Sequence, residues 1–424
     1  MTITRRNFAR LFAVGGSAAL FAHPEFASAR PAPLPPAGAP ATDAFWDTVR
    51  EQFVMPPGLA VMNAANLCPS SRPVLEAMYG ATRDIDQDPS PNNRAKLGPA
   101  KEEVRTRLAA FLRVTPEEIV ITRNTSESNN LVSSGLDLKA GDEVVIFGDN
   151  HPSNNQAWHE KAKRFGYAVK TVPQVNPHPG FDYYVDAFSK ALTPRTKVLA
   201  FTHFTNTAGD LMPAAELCRL ARERGVLTLV DGAQSFGLLD VDLGAMGPDF
   251  YTGSAHKWPC GPKEAGVLFI NSRVHDRIWP SIYSAYTGAV GISRKFEGFG
   301  QRDEPCLIAF GEALALQTKV GRANIEKRAR ELSQALIAGL TKIDGIQMWT
   351  HPSPDLSAAV VTFRPGTLDV RRLTAALYEK DKIACATRGG SDRNGLRFSP
   401  HFYNTMAEVD RVIAAVGRYM KTGV

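Results

Sequence analysis

Cysteine is scarce in this chain: five in 424 residues, Cys68, Cys218, Cys260, Cys306 and Cys385, with no CxxC pair among them. Thiols so few and so unevenly spaced exclude a disulfide framework and give no metal-ligand spacing, so no metal is expected. One bridge stays open for a protein that leaves the cytoplasm. The N-terminal apolar stretch, Leu11 to Ala22, is about 12 residues long, short of the ~20 that a membrane-spanning helix needs. Stable membrane insertion is therefore not expected. No block of Lys and Arg occurs, and no basic stripe alternates with aromatics, which argues against a nucleic-acid partner. A GxGxxG turn after an early strand is also absent, so a plain dinucleotide-binding protein has no support. No internal repeat is visible. What is there is 44% hydrophobic and 22% charged, the balance of a globular chain long enough for two domains. The formal charge is +6, to which Arg5, Arg6 and Arg10 against Glu25 contribute two. That mild basicity suits a surface tolerant of anionic small molecules.

The first thirty residues read as an address. Thr4-Arg5-Arg6-Asn7-Phe8-Ala9-Arg10 precedes the apolar stretch and Ala27-Ser28-Ala29 follows it. A basic region, an apolar run and a small-residue cleavage site make a secretory signal. The paired arginines followed by Phe8 resemble a twin-arginine signal. The expectation is a signal peptide over 1–29, a Pro/Ala-rich linker over 30–44, and a periplasmic or secreted protein handed to the twin-arginine export machinery. That route is known for carrying folded proteins.

From about Glu118 onward, short β-branched runs alternate with helical stretches. Strands are expected at Glu118–Thr122, Glu143–Phe147, Lys197–Thr202, Val226–Asp231, Asp249–Thr252 and Gly266–Ile270, with amphipathic helices such as Ala214–Arg224 between them. Near-continuously apolar strands joined by helices predict a mostly parallel sheet covered on both faces. The C-terminal stretch, with a long helix around Asn324–Leu340 followed by Ala358–Phe363, Val370–Glu379, Gly395–Ser399 and Met406–Tyr419, reads as a second, smaller α/β domain. The expected division is 45–320 for the large domain and 321–424 for the small one.

Ligands in parallel sheets collect at the carboxyl ends of the strands. There Val230-Asp231-Gly232-Ala233-Gln234 delivers a carboxylate, and Ser254-Ala255-His256-Lys257-Trp258 delivers an amine just past the next strand. Alone, a lysine is usually solvated and an acid at a strand end is often a helix cap. Together they suit pyridoxal phosphate, whose aldehyde takes the lysine as an imine and whose ring nitrogen takes the acid. Arg123-Asn124-Thr125-Ser126-Glu127 follows a strand and opens a helix, so N–H groups and two hydroxyls, those of Thr125 and Ser126, can cradle a phosphate. The plainer alternative is that the two hydroxyls only cap the helix.

These segments resemble the class V aminotransferase family, within the fold-type I pyridoxal-phosphate enzymes, a group that includes cysteine desulfurases and isopenicillin N epimerase. The resemblance runs from about Met62 to Tyr419. It implies an α/β fold with a mostly parallel, seven-stranded type of sheet and a smaller C-terminal α/β domain. It also implies Lys257 as the Schiff-base lysine, Asp231 as the pyridinium partner, Gln234 on the cofactor's phenolic oxygen, and Ser254 and His256 as phosphate ligands. Asn150-His151-Pro152-Ser153-Asn154 matches the segment whose histidine, His151, stacks on the ring and assists proton transfer. Thr202-His203-Phe204-Thr205-Asn206 matches the one whose asparagine, Asn206, contacts the ring, and His203 is equally a core residue. Leu396-Arg397-Phe398-Ser399 matches the segment supplying the substrate-carboxylate arginine, Arg397, whose guanidinium forks onto a carboxylate as lysine cannot. Its alternative is a surface salt bridge. Gly300-Gln301-Arg302-Asp303 sits where epimerase-like members reach into a neighbouring subunit's phosphate site, which implies a homodimer with a shared site. This chain departs from the family at Asn124, where Gly is usual, and at Gln301, where Thr is favoured.

The implied reaction acts on an amino acid or similar amine through an external aldimine and a Cα carbanion. Reprotonation gives epimerisation or transamination, and loss of a β-substituent gives a carbon–sulfur lyase. Desulfurases carry a nucleophilic cysteine ahead of the substrate arginine, whereas Arg388-Gly389-Gly390-Ser391-Asp392-Arg393-Asn394-Gly395 has none. Cys385 just before it reads as packed within a strand. The epimerase/aminotransferase type is favoured, with the lyase as alternative and a non-catalytic ligand-binding family member as the alternative of another class.

Overall fold

Strands form where β-branched and aromatic residues run unbroken, and the side chains of each run part to two faces. In the computed structural model, which describes residues 32–36, 38–39, 41–389 and 392–424, the strands are β1 (Ala60–Val61), β2 (Ile119–Thr122), β3 (Glu143–Phe147), β4 (Ala168–Val172), β5 (Thr196–Thr202), β6 (Leu227–Asp231), β7 (Phe250–Ser254), β8 (Gly266–Ile270), β9 (Ile346–Met348), β10 (Val361–Pro365), β11 (Ile383–Ala384), β12 (Ala386–Arg388) and β13 (Gly395–Phe398). The expected signal peptide and the first residues of the linker lie outside the described residues. Leu34–Val424 is one compact unit. No helix among the described residues is long and apolar enough to cross a membrane.

The large sheet has seven strands in the order β2-β8-β7-β6-β5-β3-β4. Strands β3 to β7 are mutually parallel, and β8 runs against both of its neighbours, so only one strand is reversed. Period-two alternation then divides the core. Ile119, Ile121, Val145, Phe147, Leu199 and Phe201 face one helical layer, which includes Leu97–Leu112 and Glu304–Val320. Val120, Val144, Ile146, Val198 and Ala200 face the other, built on Thr125–Gly135 and Pro152–Phe165. At ~25 cal/mol per Å² of apolar surface, burial on both faces fixes the register, because a one-residue slip would exchange the two sets.

A smaller C-terminal domain has its own core, in which Leu332, Leu336, Phe363, Leu373, Leu396, Phe398 and Val416 meet. Its four-stranded sheet, β12-β13-β10-β9, is antiparallel throughout, so the expected α/β alternation gives way there to hairpin-type pairing backed by helices. The short parallel pair of β1 with β11 ties the N-terminal segment to this domain.

Several elements were not among those expected, and β4 and helix Glu304–Val320 show why. β4 is a sheet-edge strand, half-exposed with Lys170 in its centre, and an edge strand needs no continuous apolar run. Helix Glu304–Val320 is buried nearly all round and so carries little helical periodicity for a sequence reading to find.

Candidate active site

The carboxyl ends of β5, β6 and β7 and the facing edge of the small sheet enclose a cavity of about 640 Å³. Lys257, Asp231, His151, Thr125, Ser126, Asn206, Ser254, His256 and Arg397 all line it, so nearly every residue expected at the site is brought to one place.

Asp231 ends β6 in a buried position. Its Oδ2 accepts hydrogen bonds from Asn129 Nδ2 at 2.8 Å and Asn154 Nδ2 at 3.3 Å, and its Oδ1 accepts from the Ala233 N–H at 3.0 Å. Three donors from three elements leave the carboxylate little freedom to rotate. Asn129 is itself held, since its Oδ1 accepts from Thr252 Oγ1 at 3.1 Å, and Asn154 Oδ1 accepts from the Trp158 indole at 3.1 Å.

Lys257 follows β7 by three residues. Burial pushes its ammonium down to about 8, the attraction of Asp231 opposes that, and Arg397 adds to it. A neutral amine is thus within reach near physiological pH, as a nucleophile or proton acceptor requires.

The anion end is built from a helix start and a strand end. The Thr125 N–H donates to Ser254 Oγ at 2.8 Å, and the two hydroxyls lie 2.8 Å apart. Asn124 caps helix Thr125–Gly135 by accepting from the Glu127 N–H at 2.9 Å, so the capping role belongs to Asn124 rather than to Thr125 or Ser126. Its backbone is extended, and no left-handed geometry is needed where the family usually has Gly. His256 Nδ1 is buried with no partner, and burial together with Lys257 and Lys263 holds the ring down at about 4. An orphaned ring nitrogen beside a helix N-terminus and two hydroxyls fits a phosphate.

His151 sits at the exposed mouth of the cavity and caps helix Pro152–Phe165, its Nδ1 accepting from the Ser153 N–H at 3.3 Å and lying 2.7 Å from Ser153 Oγ. Desolvation and Lys257 lower its pKa, favouring the neutral ring. The arginine wall lies opposite. Arg397 is buried on β13, donating to the Asn206 carbonyl at 2.9 Å and to Asn63 Oδ1 at 3.1 Å, while its Nε has no partner. Burial and neighbouring Arg388 lower its pKa to about 10. No carboxylate among the described residues forms an ion pair with either arginine. The surface salt bridge considered for Arg397 is therefore not formed, and the guanidinium stays available for an external anion.

Gln234 and Gln301 do not reach the wall. Gln234 Nε2 donates one N–H to the Ala65 carbonyl at 3.0 Å, and Oε1 accepts from the Trp258 indole at 2.8 Å. A buried indole N–H needs an acceptor, and this one takes the oxygen of Gln234. Gln301 is exposed outside its own chain's cavity, donating to Glu304 at 2.7 Å and accepting from Arg94 at 2.5 Å. His203 is half-buried and lines a separate hollow with Met212 and Pro213, away from the cavity, where desolvation pushes its pKa down to about 4. Cys385 belongs to no strand and does touch the cavity, correcting the expectation that it is packed inside one; burial raises its thiol to about 12.

Sequence reading missed Asn129, Asn154, Asn63 and Arg388. Asn129 lies one helical turn beyond Thr125, so the shared face of that helix was an available signal. Arg388 pairs across from Gly395 in β12, and Ala386 pairs with Arg397, which puts Arg388 and Arg397 on one sheet face.

Comparison with known proteins agrees with this geometry. Residues 74–412 match the model of the family described as aminotransferase class-V. The chain is 32% identical to isopenicillin N epimerase of Amycolatopsis lactamdurans over 89% of its own length and 99% of that protein. It is 27% identical to a probable cysteine desulfurase of Methanothermobacter thermautotrophicus, covering 82% of this chain and 91% of that one. Its fold is that of the apo cysteine desulfurase from Thermococcus onnurineus NA1, with a TM-score of 0.80 at 24% identity over 88% of this chain and 98% of the other. With the family model spanning most of the chain, and a phosphate cradle, an amine and a buried carboxylate in one cavity, this protein belongs to the class V aminotransferases and is a pyridoxal-phosphate enzyme of that family.

Proposed function

We propose that the protein acts on an amino acid by moving its α-proton, in the epimerase or aminotransferase manner. The observation that carries this is a lysine, its pKa pushed down to about 8 by desolvation, sharing a cavity with a buried arginine that has no carboxylate ion pair and an unpartnered Nε. Pyridoxal phosphate, when bound, supplies an electron sink for charge developing at the substrate's α-carbon. The protein's own groups do the rest. Thr125, Ser126, Ser254 and His256 hold the phosphate, and Asp231 faces the ring nitrogen. Arg397 forks onto the substrate carboxylate and so aims the α-C–H bond, while the Lys257 amine takes up and returns the proton at Nζ. Cys385 supports the choice against a persulfide-forming desulfurase, because a thiol raised to about 12 is a poor nucleophile.

An amino-acid panel in deuterated water tests this. Epimerisation gives α-deuterium and loss of chirality without keto acid, and transamination gives keto acid. β-Elimination products would transfer the protein to the carbon–sulfur lyase reading, and no exchange with any amino acid would leave it a ligand-binding family member.

The same proposal includes a homodimer with a shared site. Trp279, Ile282, Tyr283 and Tyr286 are exposed on the segment leading to Gln301, and Ser284 Oγ donates to the Gly298 carbonyl at 2.7 Å, fixing the two stretches side by side. Sedimentation should give a dimer, and Gln301→Ala should weaken cofactor retention although Gln301 lies outside its own chain's cavity. Export by the twin-arginine route completes the reading, resting on Arg5-Arg6 and the apolar run after them. Replacing both arginines by lysine should leave the protein in the cytoplasm, and unchanged export would refute the route.

A further inference from the structure

Behind the cavity, three residues with no sequence relation converge. Cys68, Cys260 and His401 are fully buried, and one ligand atom from each lies within 4.8 Å of the other two. The histidine's tautomer follows from its surroundings. His401 Nε2 is 2.7 Å from the Trp258 carbonyl, which can only accept, so Nε2 carries the proton and Nδ1 presents a bare lone pair. That Nδ1 is buried without a hydrogen-bond partner. Burial also keeps the ring neutral by pushing its pKa down to about 3. An unpartnered lone pair in a dry core is costly unless a hydrogen-bond donor or a metal ion takes it up.

The thiols make only weak contacts. Cys68 Sγ lies 3.9 Å from the Ala64 carbonyl and Cys260 Sγ 3.7 Å from that of Trp258, and the Tyr403 hydroxyl donates to Cys68 Sγ at 3.7 Å. Cys260 also holds a left-handed backbone, φ 56°, which a non-glycine residue adopts only where its surroundings enforce it. A histidine nitrogen whose ring N–H is fixed on a backbone carbonyl is how protein zinc ligands are oriented. Zn–S bonds of ~2.3 Å at tetrahedral angles set two sulfurs about 3.8 Å apart, a modest contraction within the observed limit. Two thiolates would also cancel the charge of a divalent cation, leaving the core neutral.

We propose that Cys68, Cys260 and His401 Nδ1 form a buried zinc site, with the Tyr403 hydroxyl facing its fourth position. Its role is structural. Cys68 lies two residues past Asn66, Cys260 three past Lys257 and His401 four past Arg397, and each of those three lines the cavity. The same segments are already joined by hydrogen bonds, from the Cys68 N–H to the His256 carbonyl at 2.8 Å and between His401 Nε2 and the Trp258 carbonyl at 2.7 Å. A metal there clamps the lysine loop, the arginine strand and the N-terminal wall to one point.

Metal analysis of the full-length enzyme, purified without chelator from zinc-supplemented cells, tests this. About one zinc per chain should survive dialysis, and cobalt-grown protein should show thiolate-to-cobalt charge-transfer absorption. Cys68→Ser and Cys260→Ser should each cut the zinc to under about a tenth of an equivalent and lower Tm. Wild-type protein that is soluble yet holds less than about a tenth of an equivalent overturns the proposal without any variant. Five free thiols on denaturation would then mark a plain core cluster, and three, with a Cys68–Cys260 bridge found by mass spectrometry, would mark a disulfide instead.

Discussion

The two walls of the active-site cavity are held by opposite means. On the large-sheet wall, Asp231 is gripped by three donors and pairs electrostatically with Lys257, so charge meets charge inside the protein. On the small-sheet wall, Arg388 and Arg397 share a face. Burial and Arg388 depress Arg397, burial and Arg393 depress Arg388 against the pull of Asp149, and neither guanidinium forms an ion pair among the described residues. The acid–amine part of the first wall is matched within the protein, although His256 Nδ1 beside it has no partner. The second is electrostatically unfinished, and on the proposed function an anionic substrate would finish it. This difference explains how one family can keep its cofactor machinery while changing its reaction: the self-satisfied wall is constrained by its own partners, and the unsatisfied wall answers to the ligand.

Breaking the acid–amine wall should have the larger consequences. Lys257→Ala should lower turnover by at least ~10³-fold, since it removes both the covalent anchor and the proton carrier. Borohydride treatment of the native protein should fix the cofactor on the Lys257 peptide and on no other. Asp231→Asn comes next, at roughly 10²-fold or more in kcat/KM, because losing one member of a buried charge pair costs ~3–5 kcal/mol. Kinetics within ten-fold of the native enzyme would place the ring nitrogen's partner elsewhere.

Breaking the unfinished wall should cost binding more than chemistry. Arg397→Gln should raise substrate KM about 10- to 100-fold, the worth of ~1.5–3 kcal/mol for hydrogen bonds to a charged group. Cofactor retention should stay nearly unchanged, which separates this wall from the other. Arg388→Gln should raise KM by less, under about 5-fold, because that guanidinium is part-exposed and partly screened. Equal effects at the two positions would mean that both arginines grip the same carboxylate.

The same contrast governs what could be read from the sequence. Lys257, Asp231 and Ser254 stand at the ends of apolar runs, and such a run both declares a strand and points its last residues at the ligand edge. Asn129 and Asn154 act from helical faces whose apolar pattern is dominated by packing; the one-turn spacing from Thr125 puts Asn129 on the site's face, and no comparable signal marks Asn154. Gln234 misled because its role depends on the Trp258 indole, a tertiary partner. Arg388 escaped notice because β12 is only three residues long. Cys68, Cys260 and His401 have no spacing to recognise, and only the folding of three distant segments against one another brings them together.

The smallest effect is the most discriminating, because both walls act on one amine. The Lys257 pKa, lowered to about 8 by burial, is raised by Asp231 and lowered by Arg397. Imine formation between the apoprotein and added pyridoxal phosphate needs the neutral amine, so its rate should climb with pH and level off above about 8. Asp231→Asn removes a charge that favours the ammonium, and the midpoint should fall. Arg397→Gln removes a charge that opposes it, and the midpoint should rise. Stopped-flow absorbance across the pH range measures all three curves. Shifts of the same sign in both variants would mean that Lys257 answers to general loosening of the site rather than to two opposed fields, and the division between the walls would fail with it.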